Sequence, residues 1–166
     1  MRSRRLALGA FAAMGATAAL AVSITGAAAA THGACVLKGS ANFTPGLKAT
    51  AQSENYTFTG TFSSCQGVSG IKSGTVNASG AGKLSCGSGS SKGTATVAWN
   101  NGTTSAISFT TTSAAAGTVV QGTFTSGTFS GMKGKSVIVF STSTPQLCAT
   151  TGLPSASFQG PSEIGT

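Results

Sequence analysis

The chain has 166 residues, ten Lys plus Arg against two Asp plus Glu, and a formal net charge of +8. All three arginines, Arg2, Arg4 and Arg5, precede residue 31, and residues 31–166 contain no Asp, two Glu, one His, one Tyr and one Trp. That poverty of ionisable groups excludes most catalytic constellations, and the lack of arginine beyond residue 30 excludes an arginine-based nucleic-acid surface.

Taken from the N-terminus, the arginines are followed by the apolar run Leu6 to Ile24 and by the small residues Ala28, Ala29 and Ala30. This is the order of a secretory signal peptide, assigned to residues 1–30 with cleavage after Ala30. The apolar run is near the lower length limit for a spanning helix, but Ala and Gly make it weakly apolar, so no stable membrane insertion is expected after cleavage. Ser3-Arg4-Arg5-Leu6 half-matches a twin-arginine signal, and ordinary secretion is preferred. A lipidated Cys35 is rejected, because His32 stands where such signals carry an aliphatic residue. Residues 31–166 form one domain of 136 residues with seven lysines and two glutamates, a formal +5.

Seven of the eight phenylalanines beyond the leader are followed directly by Ser or Thr. In Tyr56-Thr57-Phe58-Thr59-Gly60-Thr61-Phe62-Ser63 this puts Tyr56, Phe58 and Phe62 on one face of a strand and threonines on the other. Similar alternation predicts strands at residues 34–43, 74–86, 94–100, 103–112, 118–125, 136–142 and 155–159. Asn100-Asn101-Gly102 predicts a type I′ hairpin turn, Pro45-Gly46 and residues 131–134 predict further turns, and no window carries a helical period. The segment 57–63 is echoed at 123–130 with one extra residue, which a bulge at Gly127 or a turn must absorb if Phe124 and Phe129 share a face. About eight short strands with frequent turns predict an all-β domain. An antiparallel, immunoglobulin-like β-sandwich is preferred, with a closed antiparallel barrel of about eight strands as the alternative. In a sandwich the seven scattered lysines would guard exposed strand edges.

Cys35, Cys65, Cys86 and Cys148 make an even count in an exported chain, which implies two disulfides. Metal ligation fails on spacing, since no Cys-x-x-Cys pair exists and His32 is the only imidazole, so no metal or other cofactor is expected. Of the three connectivities, Cys35 with Cys65 and Cys86 with Cys148 is preferred, because a first hairpin centred near Thr50 places Cys35 opposite Cys65.

The motif matches fail for want of partners. Gly89-Ser90-Ser91-Lys92-Gly93 has the spacing of a nucleophile elbow, but the chain offers no Asp, no helix after it, and a histidine only at His32. Ser69 to Lys72 and Ser130 to Lys133 match Ser-x-x-Lys without its companion motifs. Glu54, placed in a loop, and Glu163, near the C-terminus, make a poor carboxylate pair for glycosidase chemistry. The chain is therefore read as non-enzymatic. Its candidate binding residues are Trp99, Asn100 and Asn101, an aromatic ring beside two amides as in sugar recognition, weighed against Trp99 as the core tryptophan of the fold.

The alanine-rich leader and the Thr/Gly/Ser-rich, four-cysteine remainder resemble the uncharacterised small secreted proteins of actinobacteria. The chain is also similar to the neocarzinostatin-type carriers, exported immunoglobulin-like sandwiches with two disulfides that hold a small aromatic ligand. Their disulfides close short loops and their charge is acidic, whereas Cys35, Cys65, Cys86 and Cys148 are far apart and this chain is basic. No ligand-binding residues carry over. The function expected from the sequence is an extracellular domain that binds a cell-wall glycan or another extracellular protein. The alternatives are a self-associating surface protein and a carrier with a phenylalanine-lined cavity. No nucleic-acid partner is expected.

Overall fold

The computed structural model describes residues 31–68, 70–114 and 116–165. The leader assigned to residues 1–30 lies outside the described residues.

Eight strands follow one another in chain order: β1 Thr31–Leu47, β2 Gln52–Gln66, β3 Gly74–Leu84, β4 Gly89–Trp99, β5 Thr104–Ala114, β6 Gly117–Gly127, β7 Lys133–Ser141 and β8 Leu153–Gly165. Each pairs antiparallel with the next, and β8 returns to pair antiparallel with β1 from Thr31↔Gly165 to Leu47↔Leu153, so the sheet closes as a barrel. A short 3-10 turn, Pro145–Ala149, lies between β7 and β8. No helix among the described residues is long and apolar enough to cross a membrane.

The barrel corrects the preferred sandwich. Short connections make consecutive strands neighbours, so all eight form a meander without the crossovers that divide strands between two sheets. Because every strand has an inward apolar face, joining β8 to β1 buries that face and removes both sheet edges. The seven lysines are exposed on this closed surface and have no edge to guard.

Alternation decides what points inward. Strand β2 sends Glu54, Tyr56, Phe58, Gly60 and Phe62 to the interior side, while Thr57, Thr59 and Thr61 stay exposed. Large inward rings face glycines across the ladder: Tyr56 opposes Gly80, Trp99 opposes Gly74, Phe109 opposes Gly93 and Phe158 opposes Gly39. The absent Cβ is the space that each ring uses. A Cβ added at Gly39 would sit 2.6 Å from Phe158 Cζ and 2.7 Å from Gly60 Cα, and one at Gly93 would sit 2.7 Å from Phe109 Cζ. Gly39→Ala is therefore expected to lower the unfolding free energy by about 1–3 kcal/mol, read as a lower urea midpoint. An unchanged midpoint would show that Phe158 does not need that space.

The sequence echo resolves through two local devices. The ladder between β5 and β6 steps from Ile107↔Phe124 to Ala106↔Ser126, which leaves Thr125 as an extra residue within the strand rather than at Gly127. The turn after β6 then carries Phe129 at φ 71°, and the Phe124 and Phe129 rings meet edge to face at 5.4 Å. Pro45-Gly46 does not end β1; it falls in a register irregularity against β8 between Asn42 and Leu47.

Both preferred disulfides are present. Cys35–Cys65 joins β1 to β2 with Cα atoms 4.1 Å apart, and Cys86–Cys148 joins the β3–β4 turn to the 3-10 turn with Cα atoms 6.1 Å apart.

Candidate functional site

The two ends of the barrel differ. One end carries the turns after β2, β4 and β6 and is plugged by aromatic side chains. Trp99 is 4% exposed; its ring stacks on Phe62 at 5.6 Å and meets Phe129 edge to face at 5.4 Å. Its Nε1 donates to Ser105 Oγ at 2.9 Å, and Ser105 Oγ in turn donates to the Thr128 carbonyl, so the one polar atom of the indole is satisfied inside.

This geometry corrects the reading of Trp99, Asn100 and Asn101 as a binding cluster. The indole is enclosed and offers no face to a sugar. Asn100 Oδ1 accepts from the backbone N–H of Lys72 at 2.8 Å and of Ser73 at 3.0 Å, which ties the β4–β5 turn to the β2–β3 turn. Asn101 Oδ1 accepts from Thr103 N at 3.1 Å and Thr103 Oγ1 at 2.8 Å. Both amide oxygens hold backbone in place. The hairpin is also not type I′: Gly102, at φ 84°, is its one residue with positive φ, and Gly102 N donates to the Trp99 carbonyl at 3.0 Å.

At the opposite end a cavity of about 330 Å³ enters the barrel, near the lower bound of the roughly 300–1,000 Å³ usual for small-molecule sites. Five of the eight phenylalanines beyond residue 30 line it: Phe43, Phe58, Phe109, Phe140 and Phe158. Phe58 meets Phe158 nearly perpendicularly at 5.0 Å and Phe109 at 6.4 Å. Phe58 and Phe109 also border a void of about 70 Å³ on the plugged side, so these rings form the cavity floor. Phe140, 39% exposed, stands at the rim against Phe43 at 6.2 Å and Phe158 at 5.8 Å.

One side of the mouth is held shut. Besides the Cys86–Cys148 bond, Ala49 N donates to the Cys148 carbonyl at 2.9 Å and Cys86 N to the Lys48 carbonyl at 2.8 Å. Three turns are thereby joined over that side. Exposed residues around the cavity include Cys86, Gly87 and Ser88 beside the disulfide as well as Ala114, Ser141 and Pro145.

Besides Ser85, Ser88, Ser141 and Thr142, the polar lining includes linked hydroxyls. Tyr56 Oη lies 2.8 Å from Ser91 Oγ, and Ser91 Oγ lies 2.6 Å from Thr111 Oγ1. Ser113 Oγ and Thr118 Oγ1 form a further pair at 2.8 Å. Burial pushes the Tyr56 pKa above the ordinary tyrosine value, and the bond to Ser91 opposes that rise. Ser91, centre of the Gly-x-Ser-x-Gly match, lies inside β4 among hydroxyls, where no base adjoins it. Glu54 is not in a loop; it sits in β2 at 2% exposure, accepting from Gly46 N at 3.1 Å and Gln52 Nε2 at 2.7 Å.

The residues singled out from the sequence, Trp99, Asn100 and Asn101, lie at the end of the barrel opposite the cavity. The signal that could have found the cavity was the set of phenylalanines alternating with hydroxyls. The face was legible there, but not how much space the rings leave between them. No family model, curated protein or solved structure matches the chain, and the chemistry of the cavity is read from its own residues.

Proposed function

We propose that the protein is an extracellular carrier that holds one small apolar molecule in the open end of its barrel. The observation that supports this most is the cavity of about 330 Å³ with five phenylalanines on its walls. Eight strands are the number at which a barrel either fills with its own side chains or keeps room for one small ligand, and here one end does the first and the other the second. Export is supported by the leader-like residues 1–30, and two disulfides suit an oxidising compartment. A binder of surface glycans has less support, since the indole that would stack on a sugar is buried.

N-phenyl-1-naphthylamine, an uncharged dye that brightens in apolar surroundings, is the probe. It is expected to brighten with the protein and to be displaced by unlabelled naphthalene. Ala156 lines the cavity and is 7% exposed, so Ala156→Phe fills the space, and we expect binding to weaken by at least about tenfold, or 1.4 kcal/mol, with the circular dichroism spectrum retained. A wild-type protein that leaves the dye dark, or a filled variant that binds as well, would rule out the carrier.

A further inference from the structure

The composition of the cavity wall narrows what it can accept. Among the described residues no Lys, Arg, His, Asp or Glu lines it. Its two sides also differ. Phe43, Phe140 and Phe158, from β1, β7 and β8, make one side apolar. Beginning beside Phe43, whose ladder partner is Tyr56, and running away from it, Tyr56, Ser91 and Thr111 from β2, β4 and β5 place three hydroxyls in one connected row.

Counting protons along that row shows what it has to spare. Three hydroxyls carry three protons, and the two mutual hydrogen bonds use two. If Tyr56 donates to Ser91 and Ser91 to Thr111, the free proton is at Thr111 and Tyr56 Oη keeps a lone pair. Reversing both bonds leaves the free proton at Tyr56 and the accepting lone pair at Thr111. Rotation of three C–O bonds interconverts the two arrangements with no change in charge. The row can therefore donate one hydrogen bond or accept one, and Tyr56, its pKa raised by burial, keeps its proton at neutral pH.

Resting on the carrier reading, we propose that the ligand is an uncharged, compact apolar molecule bearing a single hydroxyl or carbonyl oxygen. That oxygen bonds to the Tyr56–Ser91–Thr111 row while the apolar body lies against the phenylalanines. Carboxylates and other anionic amphiphiles are excluded, because they would lose hydration in a cavity that offers no cation to replace it.

The test compares naphthalene, 1-naphthol and 1-naphthoate at pH 7 by displacement of N-phenyl-1-naphthylamine from the full chain. The expected order is 1-naphthol about threefold to tenfold tighter than naphthalene, the worth of one net hydrogen bond, and 1-naphthoate at least about a hundredfold weaker than 1-naphthol. Because either end of the row can bond the ligand, the triple variant Tyr56→Phe/Ser91→Ala/Thr111→Val is expected to bring 1-naphthol to the level of naphthalene and to leave naphthalene unchanged. Retained naphthalene binding shows that this variant is folded, and the wild-type comparison of naphthalene with 1-naphthol decides the proposal should it not fold. Equal affinities for naphthalene and 1-naphthol, or tight 1-naphthoate, would overturn the proposed ligand class while leaving a carrier. Failure of all three to bind would overturn the carrier itself.

Discussion

Replacing both Cys86 and Cys148 by serine is expected to lower the unfolding free energy by about 4 kcal/mol, the chain-entropy value for a bond joining residues 62 apart. The effect is among the largest available because the bond closes a long loop that spans β4 to β7. It also ties the 3-10 turn to the β3–β4 turn at the mouth of the cavity, so a bound dye should dissociate faster from the variant. Urea unfolding gives the first quantity and stopped-flow dye release the second. A loss below about 1 kcal/mol would mean that the surrounding hydrogen bonds already hold the segment, since Ala49 and Cys86 also bond across these turns.

Trp99→Ala is expected to cost about 3–5 kcal/mol, the range for truncating a buried aromatic side chain. The ring is stacked on Phe62 and edge-on to Phe129, and neither neighbour can fill the space without leaving its own contacts. Trp99→Phe separates packing from polarity: it retains a ring but removes the donor to Ser105 Oγ, and about 1 kcal/mol is expected for that bond. The wild-type emission should be blue-shifted and insensitive to ligand in the cavity, because Trp99 plugs the other end of the barrel. A large ligand-dependent change in its spectrum, or near-neutral behaviour of Trp99→Ala, would contradict a plugged end.

Much of the strand layout was legible without the fold. The alternation in residues 56–63 belongs to β2, and each of the other predicted segments overlaps one observed strand. The cysteine pairing followed from the same reasoning, since a hairpin turning near Thr50 brings Cys35 and Cys65 together. The environment of Trp99 and Asn100 was not legible, for a physical reason. A tryptophan and an asparagine at a strand end have the same local pattern whether the ring faces solvent or a barrel interior. The amide likewise looks free until the β2–β3 turn arrives to use it. Glu54 was misplaced similarly, because its partners Gly46 and Gln52 make an inward carboxylate tolerable only once β1 lies beside β2.

What the sequence determined by itself was the period of two, the turns at Asn100–Gly102 and near Gly131, and the scarcity of charge, which together set an all-β domain with one apolar face per strand. It also contained the glycines that stand opposite the large rings, though their partners could not be read from it. The tertiary structure decided that the sheet closes through β1 and β8, which a sandwich of the same strands would not do. It also decided that the aromatic rings divide into a plug around Trp99 and a lining around an empty mouth. Alternation specifies the face on which a side chain lies, whereas closure and unfilled volume depend on which strands meet across the whole chain. Those contacts are between residues far apart in sequence, and no local pattern encodes the space left between them.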